Sequence, residues 1–343
     1  MNNPIFLVSI IIPSYNMEEY IGKNLRHLVE AQHINQVEII VVNDGSKDKT
    51  SAIAHNFQQE HPNNIIVIDK ENAHYGSCIN AALAIARGKY FRILDADDWI
   101  EADALDSFVE KLETCNADLV VTLRTEIILD KNGQWTQKSF PIRNIEYGKI
   151  YDARSFAIRD YSKKVEFNMH SMTYKTEILR QVRLVLPTGI CYTDLLYCLV
   201  PLSHIKDLVV FDIYLYNYLT ERDGNSTSNA ALKRNLSHIS TVLLTMFKYL
   251  DRQDSKILTP AIISNQLRYI DEALTLCMQS IRMHHSISKD EYPAIDQIMD
   301  FTKKYHIKNK FLKKYYFRIW RTRQTRSCLK CMLKWYHFIH PSK

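Results

Sequence analysis

Glycine is scarce in this chain, 8 in 343 residues, and neither a G-x-G-x-x-G nor a P-loop pattern occurs in it. That argues against a phosphate cradle made of glycine backbone; a metal held by side chains must take the role instead. No apolar run approaches the ~18 residues needed to cross a bilayer. The seven cysteines are scattered and odd in number, which does not suggest a disulfide framework. Cys328 and Cys331 have C-x-x-C spacing, but no second pair or His cluster accompanies them, so zinc is not expected. Met1-Asn2-Asn3-Pro4 lacks the charged and apolar regions of a signal peptide. These absences lead to the expectation of a cytoplasmic, reduced protein. Acid is missing from one stretch: Phe301 to Lys343 holds 13 of the 44 Lys and Arg residues and none of the 38 acids. The net charge of +6 therefore hides an acidic body with a basic tail.

What is present is concentrated in Asp95-Ala96-Asp97-Asp98-Trp99, directly after the apolar, β-prone run Tyr90 to Leu94. Three carboxylates crowded at a strand end repel one another unless something cationic offsets them. Carboxylate oxygens are the ligands that Mg²⁺ or Mn²⁺ select, and a cation so held can bind a diphosphate. One Asp suffices to cap the helix expected from about Glu101, so capping alone does not explain three.

The pattern before and after this cluster alternates. Leu7 to Ile12, Val37 to Val42, Ile65 to Asp69 and Tyr90 to Leu94 read as buried strands. Between them, helices are expected from Asn16 and Glu18 to about Ala31, from Lys49 to Gln59 and from Ser77 to Ala86. A helix over Ala102 to Cys115 and a strand over Asp118 to Leu123 follow, with the alternation continuing to about Leu219. This is an α/β fold with a mostly parallel sheet flanked by helices. From Ala230 the pattern is helical only: Leu232 to Leu250, Pro260 to Met283 and Glu291 to His306. A boundary near Asn225 divides the chain into residues 1–228 and a helical region, 229–343, ending in the basic tail.

Polar groups terminate nearly every early strand, at the edge where open α/β sheets bind ligands. Tyr15, after Pro13-Ser14, offers a face to a nucleobase, and Asp44 offers a carboxylate to a pyrimidine N3–H. Taken in order, Val8 to Asn16, Asn43-Asp44-Gly45-Ser46, Glu71-Asn72 with Gly76, and Asp95 to Trp99 resemble the motif series of family 2 glycosyltransferases. Gly76-Ser77-Cys78-Ile79-Asn80 with Gly88-Lys89-Tyr90-Phe91 is similar to a bacterial branch that builds capsular, exopolysaccharide or teichoic-acid glycans.

The resemblance implies the Rossmann-like GT-A fold, an inverting mechanism, a nucleotide-sugar donor that is most often UDP-linked, and Mn²⁺ or Mg²⁺. It places Pro13 and Tyr15 at the base, Asp44 as its hydrogen-bond acceptor, and Glu19 and Asn72 among the nucleotide contacts. Asp95 and Asp97 match the D-x-D motif that binds ribose and metal, with Asp98 beside them. Asn43 stands where many members have Asp. Tyr192-Thr193-Asp194 falls where the family shows a Glu-Asp pair; Thr193 replaces the Glu and Asp194 is the candidate base. A sugar hydroxyl is too weak an acid to attack at neutral pH unless a positioned group takes its proton.

Arg222 is a candidate for the diphosphate, being suited to bidentate phosphate contacts. His170 is a candidate for the acceptor pocket. In the tail, Phe311, Tyr315, Ile319 and Trp320 alternate with Lys313, Lys314, Arg318 and Arg321. That composition suits a helix on an anionic membrane surface. The expected partners are thus a nucleotide sugar, a glycan or lipid-linked acceptor and the inner membrane face, not nucleic acid. The competing readings are a sugar nucleotidyltransferase, which lacks its Gly- and basic-rich loop here, and a degenerate homologue serving as a binding subunit.

Overall fold

The computed structural model describes residues 6–129, 134–158, 167–220, 228–283 and 289–307. Strand β1 (Phe6–Ser14), helix α1 (Ile21–Val29), β2 (Val37–Asn43), α2 (Thr50–Glu60), β3 (Ile65–Asp69), α3 (His74–Ile85) and β4 (Gly88–Ile93) follow the expected alternation. Then come α4 (Ala102–Thr114), β5 (Leu119–Leu129), β6 (Trp135–Ser139), β7 (Ile150–Asp152), β8 (Met172–Lys175), α5 (Thr176–Gln181), α6 (Asp194–Leu199) and β9 (Asp207–Leu219). Helices α7 (Asn229–Arg234), α8 (Leu236–Arg252), α9 (Pro260–Met283) and α10 (Tyr292–Lys304) complete the described chain.

The strand order is β3-β2-β1-β4-β8-β5-β9-β7, with β6 pairing β5. Strands β3 to β4 run parallel, and β8 enters antiparallel between β4 and β5. Period-two side-chain alternation splits the core over the two faces. Val8, Ile10 and Ile12 of β1 pack with Ile21, Leu25 and Leu28 of α1 and Phe108 of α4, while Ile11 faces the opposite layer. In that second layer one continuous cluster runs from Ile11 and Phe91 through Phe167 to Leu243, Tyr269 and Met299. The helices after residue 228 therefore complete the core of one sheet face.

Two glycines are required by close approach. A Cβ on Gly88 would lie 2.4 Å from the backbone nitrogen of Ser9. On Gly76 it would lie 2.3 Å from the carbonyl oxygen of Pro187 and 3.1 Å from Thr193 Oγ1. Helix α3 thus presses against the segment leading to Asp194, and Asn80 clamps it by exchanging two hydrogen bonds with the Leu186 backbone, 2.8 and 2.9 Å. Gly76→Ala is expected to cost about 1–3 kcal/mol, because backbone cannot yield as a side chain does. A denaturant midpoint equal to the parent's would refute that packing argument.

Candidate active site

The ends of β1, β2 and β4, with the loops after them, wall a cavity of about 520 Å³ that α6 and α9 close from the other side. Pro13, Tyr15, Asp44, Asn72, Asp95, Asp97 and Asp194 all line it. With His170, which also lines it, eight of the residues expected from sequence are thereby brought together. Among the lining residues neither Glu19, which is exposed, nor Asp98 appears. Arg222 lies outside the described residues.

At one end of the cavity, Tyr15 stands at the rim, 44% exposed. Its loop is braced against the next one: the Asn16 amide donates to Ser46 Oγ, and the Lys47 amide to Asn16 Oδ1. Asp44 is buried, and its Oδ1 accepts from Lys70 Nζ at 2.5 Å and from the Ala73 amide at 3.0 Å. Asn43 donates to Asp69 Oδ1 at 2.7 Å, which accounts for the departure from Asp there, since two carboxylates so close repel.

The acidic loop is held from three sides. Asn24 of α1 donates to the carbonyl oxygens of both Asp95 and Asp98, at 3.0 and 2.7 Å. Tyr216 of β9 accepts from the Asp95 amide and donates to Asp98 Oδ2 at 2.6 Å, while the Leu219 amide donates to Asp98 Oδ1. Burial, then the charges of Asp97 and Asp95, pushes the Asp98 carboxyl well up. Asp98 is placed to shape this loop. Asp95 turns the other way, with Oδ1 accepting from Tyr75 at 2.9 Å and Oδ2 3.6 Å from His170 Nε2.

Asp95, Asp98 and His170 bring ligand atoms within 4.8 Å of one another, and Asp97 lies on the same cavity wall. Carboxylate oxygens with an imidazole nitrogen are donors suited to Mn²⁺ or Mg²⁺, so the residues fit a divalent cation. His170 is kept largely neutral by burial, as a ligand must be. Its carbonyl accepts from the fully buried Arg92 at 2.5 Å, and Arg124 Nη1 lies 3.4 Å from its Nδ1.

At the far end, Tyr192 and Gly189 take left-handed backbone, φ 66° and 76°, and turn the chain into α6. Asp194 opens that helix on the cavity wall. Burial, then the charges of Glu272 and Asp95, raises its carboxyl to about 7. Thr193 beside it is fully buried against α3, a place where a Glu would bury its charge.

Sequence reasoning missed Tyr75, Arg124 and Glu272, all of which line the cavity. Tyr75 and Arg124 sit inside a regular helix and strand with no motif to mark them. Glu272 sits within an ordinary amphipathic pattern on α9.

The strand order and helix layers define a GT-A fold of the Rossmann-like α/β class. S. aureus TarS 1-349 in complex with UDP-GlcNAc superposes with a TM-score of 0.61 at 18% identity, covering 86% of this chain and 80% of that one. The mannosyltransferase PcManGT of Pyrobaculum calidifontis, in complex with GDP-Man and Mn²⁺, superposes with a TM-score of 0.51 at 15% identity, covering 93% and 85%. In sequence, the glycosyltransferase GlyA of Streptococcus pneumoniae serotype 4 is 36% identical over 114 residues, 33% of this chain and only 16% of GlyA. The model for "Glycosyl transferase family 2" matches residues 9–181, half of the chain. The chain belongs to that family.

Proposed function

We propose that this protein transfers a sugar from a nucleotide-linked donor, most simply a uridine diphosphate sugar, to a hydroxyl of a cell-surface or lipid-linked glycan, with inversion at the anomeric carbon. The observation that carries this reading is the single cavity holding Tyr15 and Asp44 at one end, Asp95 and Asp97 between, and Asp194 at the other. The TarS and PcManGT complexes with UDP-GlcNAc and GDP-Man support a nucleotide-sugar donor.

In this reading Tyr15 stacks on the base and Asp44, preset by Lys70 and Ala73, accepts its N–H. Asp95 and Asp97, with His170 near, would hold Mn²⁺ or Mg²⁺, which when bound offsets charge developing on the leaving diphosphate. Arg124 supplies a guanidinium to the same wall, and Arg222 remains a second candidate for the diphosphate. Asp194 removes the proton of the acceptor hydroxyl as the new bond forms; an acid near neutrality suits that work. In this reading the strand ends of residues 1–228 carry the donor site, and α9 of the helical region completes the acceptor side.

Among the described residues no helix is long and apolar enough to cross a membrane. The basic tail beyond residue 307 lies outside them, and we assign it to the anionic inner membrane face on composition alone.

The test is thermal stability against UDP-, GDP-, CMP- and dTDP-sugars, with Mn²⁺ and with EDTA. One sugar nucleotide is expected to raise Tm by several degrees only with metal, since a ligand of the folded state alone stabilises it. No shift with any of the four would remove the donor reading.

A further inference from the structure

We propose that Glu272 is a specificity-determining residue of the acceptor site, pairing with Asp194 to select acceptors that carry two adjacent hydroxyls. This rests on the transferase reading above and names the acceptor's chemistry.

Tyr269, Glu272 and Leu276 recur at helical spacing on α9 and all three line the cavity, as does Asp194 from α6. Two acids thus reach one end of the cleft from elements far apart in sequence. Tyr269 is fully engaged, donating to the Phe167 carbonyl at 2.7 Å. Glu272 differs: among the described residues no group donates a hydrogen bond to its carboxylate, and neither oxygen is sealed from the cavity. A half-buried acid without a donor carries a desolvation cost that a ligand's donors remove. Burial raises the Glu272 carboxyl accordingly.

The charges around it decide which donor fits. Arg268, one turn earlier on α9, and Arg124 both draw on the Glu272 charge. These two guanidinium groups offset much of the acidic charge of Glu272 and Asp194, so a ligand need not bring a cation. A hydroxyl can donate to Glu272 and also accept. With Asp194 taking the proton of one hydroxyl, Glu272 binds its neighbour and orients the pair.

The experiment uses the full chain with whichever sugar nucleotide gives the largest thermal shift. Glycerol and 1-propanol are supplied together at equal concentration, and glyceryl glycoside, propyl glycoside and free sugar are measured in one mixture. The parent is expected to favour glycerol over propanol by about tenfold or more, as sites that hydrogen-bond a hydroxyl reject analogues lacking it. Glu272→Gln is expected to bring that ratio to within about twofold of unity, and Glu272→Asp to fall between. The products share one mixture, so the ratio does not depend on how much active protein a variant retains. A parent without diol preference, or a Glu272→Gln protein that keeps it, overturns the inference and leaves the donor reading intact. A parent that binds a donor but passes sugar to neither alcohol also overturns it. Absence of any donor shift removes both readings together.

Discussion

Asp194→Asn should lose sugar transfer by about 10²–10⁴-fold while the metal-dependent donor shift persists, because only proton removal has been deleted. Parent activity should rise with pH to half its plateau near 7, the value to which burial and the Glu272 charge lift this carboxyl. The same group makes an opposite prediction for stability. Its folded-state value lies above that of the unfolded chain, so the folded protein favours the protonated form. Ionisation then erodes stability as pH climbs from about 4 to about 7, and the full penalty is present above that. Asn removes the penalty: a gain of about 2–4 kcal/mol is expected at pH 8, and close to none at pH 4. Denaturant titrations at the two pH values give the difference directly. A variant equally destabilised at both would mean that Asp194 is a helix cap and not a strained acid.

The second large effect is expected at Asp97. Asp97→Asn should lower transfer by about 10²–10³-fold, the several kcal/mol that a Lewis acid supplies. It should also remove the difference between Mn²⁺ and EDTA in the donor-induced Tm shift. Its fold should survive, because the buried member of the cluster, Asp98, keeps its bonds to Tyr216 and Leu219. A parent without measurable transfer, and a variant with the parent's metal response, would instead identify a degenerate homologue that binds without catalysing.

Much of the first half was legible because buried parallel strands are short apolar runs and little else in a sequence is. Ile65–Asp69 and Pro260–Met283 fall where expected. The misses have local causes. Helix α1 starts at Ile21, later than the expected Asn16, because the amides of Asn16, Met17 and Glu18 bond to Ser46, Thr50 and Asp48 side chains from the neighbouring loop. The expected helix from Leu232 to Leu250 is broken at Asn235, whose backbone leaves the helical region at ψ 26°. The antiparallel entry of β8 between β4 and β5 is a long-range pairing, which periodicity does not encode.

Site residues followed the same division. Acids at strand ends announce themselves, since nothing in a sheet calls for them, and Asp44, Asp95 and Asp97 converge on one cavity with Asp194 of α6. The destination of Asp98 depended on Tyr216, a residue of a strand far along the chain. Glu272 was invisible for a related reason: on a helix with a polar face one more Glu carries no signal until the fold shows what it faces.

The apolar cluster that passes without a break from Ile11 to Met299 limits how such a protein can diversify. Segments that merely adjoin can be exchanged between relatives like beads on a string. Here the last helices are the lining of the same interior as the first strands, so a borrowed segment would have to match it side chain for side chain. A single replacement on the inner wall of α9 disturbs that fit least, because it leaves the shared interior in place.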